Sequence, residues 1–398
     1  MKKLYSNDVF KPGSFPNLTY VSRKSSGFNF TYETRLMQAL NTPGYLTSII
    51  GPSKTGKTVL CEKVIGIDNI VSLSGSDFRT DDDFWKIVAN KVGISLEGEY
   101  SETSSHRGTS SNPEETSTST REKFISSKDK VIQYFKDSNS TLIIDDFHYA
   151  PEQLQFDIAY QLKDAIRKEF KAIVISLPHR ADDAIRKNPD LSGRLNLINI
   201  EPWKKDELQT IATTGFNKLG IDINESFTSK MAIESLTSPQ LMQSICLNLS
   251  IILDIDHIVV KEITNPQILK ESYNFTTINL PYQEVVRKLV TGPSTRGQRR
   301  KKYKLDNGEQ VDIYHILLKA IALDPPLTSI FLDNMKDRID KLIYSSGERI
   351  ERKKIKDSLQ KIDVIMQSSG QIYQVFEWKD NQIFILDPLF LFYLRWSK

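Results

Sequence analysis

Between residues 45 and 200, apolar runs of strand length (45–50, 70–74, 141–145, 172–177 and 195–200) are interleaved with stretches of helical period (57–65, 81–92, 121–137 and 151–170). The last helical stretch opens on Pro151, which suits a first turn. Short apolar strands separated by crossover helices predict an α/β domain with a five-stranded parallel sheet. After Pro202 and Trp203 the period is helical throughout, over 204–219, 224–236 and 239–253, which predicts a small all-α unit.

A mixed helix is predicted at 282–290. Helices follow at 312–322, 331–344 and 350–367, then alternating strands at 371–378 and 382–386 around Lys379-Asp380-Asn381. Three helices closed by a hairpin is the winged-helix order, with a terminal helix after it packing its aromatic-rich face against the wing. Residues 101–120 break the pattern, with twelve Ser or Thr and no Val, Ile, Leu, Met or aromatic residue. Such a segment buries nothing that offsets the entropy of ordering, so it reads as a disordered surface insertion. The chain then divides into an N-terminal segment (1–28), an α/β domain (29–202), a helical lid (203–255), a basic linker (256–308) and a winged-helix domain (309–398). No internal repeat is visible.

Composition narrows the class. The 398 residues are 39% hydrophobic and 26% charged, enough for two to four folded domains. No run approaches the ~20 apolar residues of a membrane helix, and the first residues lack a signal-peptide core. Two cysteines, Cys61 and Cys246, and five histidines are too few for a disulfide or zinc framework, so a reducing cytoplasm is expected. The net charge of +3 hides an asymmetry. From residue 279 onward 21 basic and 15 acidic residues give +6, while the remaining 32 and 35 give −3. A basic carboxy-terminal third suggests a partner of its own, nucleic acid being the usual candidate.

The sharpest chemical signal is Gly51-Pro52-Ser53-Lys54-Thr55-Gly56-Lys57-Thr58, followed by Val59. It matches G-x-x-x-x-G-K-[ST] and lies between a predicted strand and a predicted helix. In that context successive backbone N–H groups and the helix N-terminus face a phosphate. Lys57 is expected to neutralise the β- and γ-phosphates, and the Thr58 hydroxyl to ligate Mg²⁺, which makes ATP and Mg²⁺ the expected ligands. The strand 141–145 ends in Asp145-Asp146. Asp145 is the candidate for the Mg²⁺ shell and Asp146 for polarising the attacking water. An Asp at the second position is shorter than Glu, so slow turnover is expected.

Together these parts resemble the AAA+/STAND class of P-loop ATPases, in particular the branch of archaeal-type ATPases, origin-recognition initiators and transposition-associated regulators. The resemblance implies a P-loop ATPase core with an all-α lid and a C-terminal winged helix. It further implies a γ-phosphate sensor at Ser176 or His179. It makes Arg194, in Asp190-Leu191-Ser192-Gly193-Arg194-Leu195, an arginine-finger candidate acting in a neighbouring subunit; a surface arginine pairing with Asp190 is the alternative. Tyr20 and Val21 are candidate adenine contacts. Members often carry a lid arginine where this chain has Thr237-Ser238-Pro239-Gln240, a departure that favours a switch over a vigorous motor.

From Val285 to Leu305 there are eight Lys or Arg and no acid, which reads as a flexible cationic strap. Arg296, Arg299, Arg300, Lys301 and Lys302, with Lys353 and Lys354 on the third helix of the winged-helix domain, are candidate contacts to the backbone of duplex DNA. Two outputs stay open: a DNA-contacting winged helix on an ATP-driven switch, or a STAND-type signalling ATPase, with bacterial defence as one setting, that docks a protein partner.

Overall fold

The structure, a computed structural model, describes residues 3–80, 83–94, 128–178, 185, 191, 193–295, 297, 299–343, 347–368 and 375–397. The expected insertion at 101–120, together with His179, Asp190, Ser192 and Arg296, lies outside them. Two compact units are present. One comprises residues 22–52 and 56–201, the other residues 1–21, 53–55 and 202–398.

The first unit is built on five parallel strands: β1 (Leu46–Ile50), β2 (Ile70–Ser74), β3 (Thr141–Asp145), β4 (Ala172–Ser176) and β5 (Leu195–Asn199). Their spatial order is β2-β3-β4-β1-β5, with β1 paired in parallel to β4 and β5. Every residue of β1 and β4 is buried, as expected of strands covered on both faces. Successive residues serve opposite faces. Leu142, Ile144 and Val174 pack with the helices Phe84–Lys91 and Glu152–Arg167, and Ile143, Ile173 and Ile175 pack with Leu36, Leu60 and Cys61. The five expected strands are present within a residue of their predicted ends. The helix Tyr32–Leu40 was not among the predicted elements. Thr31 caps it, accepting from Thr34 N, and it buries Tyr32, Leu36 and Ala39.

The second unit shares one hydrophobic core running from Val9 to Phe392. The helices Lys205–Lys218, Glu225–Glu234 and Pro239–Ile252 form the expected all-α part. The N-terminal segment is tied to it: Ser6 N and Oγ both donate to Asp256 Oδ1 at 2.8 Å, and Gln243 Nε2 donates to Thr19 Oγ1 at 2.7 Å. The helices Ile313–Ile321, Leu332–Asp340 and Arg352–Ser368 are followed by the hairpin Phe376–Lys379 and Gln382–Ile385, the order read as a winged helix. A third strand, Ser329–Phe331, pairs with Gln382–Ile385. The terminal helix Pro388–Trp396 is present.

The stretch read as a linker differs from expectation. It contains the helix Gln267–Thr277, packed against Pro239–Ile252, and ends in an antiparallel pair, Tyr303–Lys304 with Gln310–Val311. Part of the supposed strap is therefore folded. Arg300 lies over the Tyr314 ring, pairs with Asp312 at 3.0 Å and donates to the carbonyls of Thr291 and Pro293, while Lys301 pairs with Glu348. No helix among the described residues is long and apolar enough to cross a membrane.

Candidate functional site

The segment 51–56 joins the carboxyl end of β1 to the helix Lys57–Ile65. Gly56 is the N-cap of that helix with φ 86°, a left-handed conformation that costs a glycine nothing. The turn leaves the first N–H groups of the helix without intrahelical partners and in line with its dipole, the arrangement that binds phosphate. Lys57 begins the helix and is 9% exposed; its Nζ donates to the carbonyls of Gly51 at 2.9 Å and Pro52 at 2.8 Å. The ammonium is thus folded back over the loop from which a phosphate would be held.

One residue further on, the Thr58 hydroxyl donates to Asp145 Oδ2 at 2.6 Å. This brings the first turn of the P-loop helix against the end of β3. The strand order explains how. The end of β4 lies between β1 and β3, where Ser176 is in register with Ile50 and accepts from Gly51 N at 3.3 Å. Ser176 is 2% exposed at that junction. Asp145 Oδ1 accepts from Asp146 N at 2.8 Å, so both carboxylate oxygens are directed.

Asp146 is exposed and takes a left-handed backbone, φ 49° and ψ 39°, as it leaves the strand. Gly75, just after β2, passes close beside it. A Cβ on Gly75 would lie 2.2 Å from the Asp146 carbonyl oxygen, so only glycine lets the two loops approach. The sequence reading missed Gly75; its one visible signal was a glycine directly after an apolar strand. Cys61, wholly buried one turn past Thr58, is a core residue. Burial first, and the Asp145 charge second, push its thiol far above its ordinary value, so it remains protonated.

Arg194 is half-buried immediately before β5, and its carbonyl accepts from Leu46 N at 2.9 Å. Tyr20 and Val21 close the N-terminal segment of the second unit, where Tyr20 stacks on Phe15 with ring centroids 5.7 Å apart. Ser53, Lys54 and Thr55, the apex of the loop, group with that same unit. There Trp203 Nε1 donates to the Thr55 carbonyl at 2.9 Å. Trp203 was read only as a boundary marker. Among the basic candidates, Arg299, Lys302, Lys353 and Lys354 are exposed, whereas Arg300 and Lys301 are engaged with the fold around them.

The site offers a hydroxyl and a carboxylate, both hard oxygen donors, to a cation. Mg²⁺ commonly takes one or two protein oxygens and completes its shell with water and phosphate, so Thr58 and Asp145 fit it. Among the described residues no group of three or more His, Cys, Asp or Glu suggests a different metal.

No family model and no curated protein matches the sequence. Solved structures do resemble it. The Walker-type ATPase PABY2304 of Pyrococcus abyssi is 15% identical, over 91% of this chain and 94% of that one, with a TM-score of 0.48. Cdc6p from Pyrobaculum aerophilum is 14% identical, over 97% and 96%, with a TM-score of 0.45. The RuvB Holliday junction branch migration motor of Thermotoga maritima is 12% identical, over 86% and 84%, with a TM-score of 0.37. At these identities, and with TM-scores below 0.5, the likeness is a loose one.

Proposed function

We propose that this chain is an ATP-binding and ATP-hydrolysing switch of the AAA+ kind, with residues 29–202 as its ATPase domain, 203–255 as its lid and 309–398 as its output domain. The observation that carries the reading is the 2.6 Å contact between Thr58 and Asp145, which unites the two halves of a nucleotide site far apart in sequence. Residues 51–59 would wrap the phosphates with backbone N–H groups. Lys57 would exchange its loop carbonyls for the β- and γ-phosphates. Thr58 and Asp145 would hold Mg²⁺, which supplies charge neutralisation at the phosphate oxygens. Asp146, exposed beside Asp145, would orient the attacking water and accept its proton. Ser176 is the proposed γ-phosphate sensor and Tyr20 a proposed adenine contact.

Arg194 is the proposed finger of an adjoining protomer in a homo-oligomer. Mixing an Arg194→Ala chain with an Asp146→Ala chain tests it, because a shared site recovers part of the activity that each loses alone; no recovery contradicts the assignment. The nucleotide reading is tested by titrating ATP into the parent and into Lys57→Ala. Saturable binding in the parent and its loss in the variant support it, and equal binding by both refutes it.

For the output domain we propose contact with the backbone of duplex DNA through Arg299, Lys302, Lys353 and Lys354 in a cytoplasmic protein. The second reading, a STAND-type signalling ATPase docking a protein partner, gains from a specific observation. Arg300 and Lys301, two central members of the basic run, are spent on Asp312 and Glu348 rather than offered to a ligand.

A further inference from the structure

Leu236 and Thr237 hold consecutive positive φ angles of 51° and 64°, and neither is glycine. A β-branched residue in that region is an outlier that persists only where its surroundings over-determine it. Here both flanks are pinned, and Leu236 itself is buried in the core of the second unit.

Upstream, Glu234 ends the helix Glu225–Glu234 at 8% exposure. Its carboxylate accepts from Arg395 Nε at 2.9 Å and Nη2 at 2.7 Å, and from Trp396 Nε1 at 2.7 Å. Arg395 belongs to the terminal helix and also donates to the Ala322 carbonyl and to Asp324. A bidentate, charge-assisted pair shielded from water in this way resists both salt and rearrangement. Downstream, Ser238 is fully buried and caps the helix Pro239–Ile252 by accepting from Leu241 N at 3.2 Å. Its Oγ also lies 3.5 Å from the Lys54 carbonyl at the apex of the P-loop, within the same compact unit. Trp203 takes the next carbonyl, that of Thr55.

We propose that Glu234 is a positioning residue for the nucleotide site. Clamped by Arg395 and Trp396, it fixes the strained turn at 236–237, and the turn sets Ser238 against the P-loop apex. The terminal helix thereby tunes how firmly the loop presents its N–H groups to a phosphate. The inference rests on the nucleotide reading above. Linkage makes the effect reciprocal, so that a partner which loosens the Arg395 clamp weakens ATP binding, and ATP resists that loosening by the same factor.

The test uses the full chain and two variants. Glu234→Gln keeps the shape of the side chain and removes its charge. Ser238→Ala leaves the clamp intact and removes the hydroxyl beside the Lys54 carbonyl. Amide hydrogen exchange at residues 53–58 is followed without nucleotide, and ATP affinity by titration. Both variants are expected to exchange at the P-loop about fivefold faster or more, and to bind ATP about fivefold more weakly, the lower range of an allosteric coupling. Adding Arg395→Lys to Glu234→Gln is expected to cause little further loss, because the two act as one pair. P-loop exchange and ATP affinity unchanged in Ser238→Ala overturn the proposal, even where Glu234→Gln fails to fold. A parent chain that binds no ATP refutes the nucleotide reading, while exchange measured without nucleotide still decides the clamp.

Discussion

The Thr58 hydroxyl and the Asp145 carboxylate meet at 2.6 Å, joining the first turn of the helix after β1 to the end of β3. Neither residue can move without disturbing the other, and the second Asp145 oxygen is fixed by the backbone of Asp146. Position of the proposed cation ligands and position of the proposed water-orienting group are therefore set by one small network.

That network predicts a dependence on Mg²⁺ confined to two side chains. Thr58→Ala and Asp145→Asn are expected to weaken binding of ATP in the presence of Mg²⁺ by about tenfold or more, the effect of losing one hydrogen bond to a charged group. Their affinity for ATP in excess chelator should match the parent. Titrations with and without the ion make the comparison.

Gly75→Ala separates binding from turnover. The added Cβ meets the Asp146 carbonyl at 2.2 Å, so the backbone of one loop must shift. Displacing a reacting group by about 1 Å costs on the order of 100-fold in rate. Phosphate release is expected to fall on that scale while ATP affinity stays within about twofold of the parent, since none of the proposed phosphate ligands is altered. An unchanged rate would show that Asp146 does not need this support.

Acid stability reports on Asp312. Burial alone would raise its carboxyl, but hydrogen bonds from Arg300 and His315 outweigh it and hold the group below its ordinary value. A carboxyl depressed in the folded state contributes stability above its unfolded pKa and loses that contribution as pH falls through the folded value. Arg300→Ala removes the charged donor on one carboxylate oxygen, so the acid-unfolding midpoint should move to higher pH. An unmoved midpoint would mean that the pair contributes nothing.

The structure sorts the basic residues by availability. Lys353→Ala and Lys354→Ala should each weaken duplex DNA binding and reduce the salt slope by about 0.9, the counterions of one phosphate. Lys301→Ala, whose side chain already pairs with Glu348, should change neither. Absence of DNA binding even at low salt would leave the protein-docking reading in place.

Much of this site was legible in the chain because its signals are local. The strands are unbroken apolar runs, the P-loop is one contiguous motif, and Asp145 ends its strand. What escaped depends on contacts across space. Gly75 matters because of where Asp146 passes, and Glu234 because of Arg395, neither of which local spacing reveals. The helix Gln267–Thr277 escaped for another reason. Its buried face includes Ser272, Thr276 and Thr277, so the apolar period that marks a helix is interrupted by hydroxyls that bond inward to the helix backbone. The strap was misread because a run of cations says nothing about acids folded against it; Asp312 and Glu348 lie outside the run.

Phosphate release from ATP, compared between the parent and Lys57→Ala with Mg²⁺ present, tests the central claim most directly. Lys57 is the group that leaves the Gly51 and Pro52 carbonyls to meet the phosphates in this account. Slow but measurable turnover in the parent, and none above background in the variant, is the predicted result. Equal release by the two proteins, or no turnover by the parent under any condition that supports ATP binding, would contradict it.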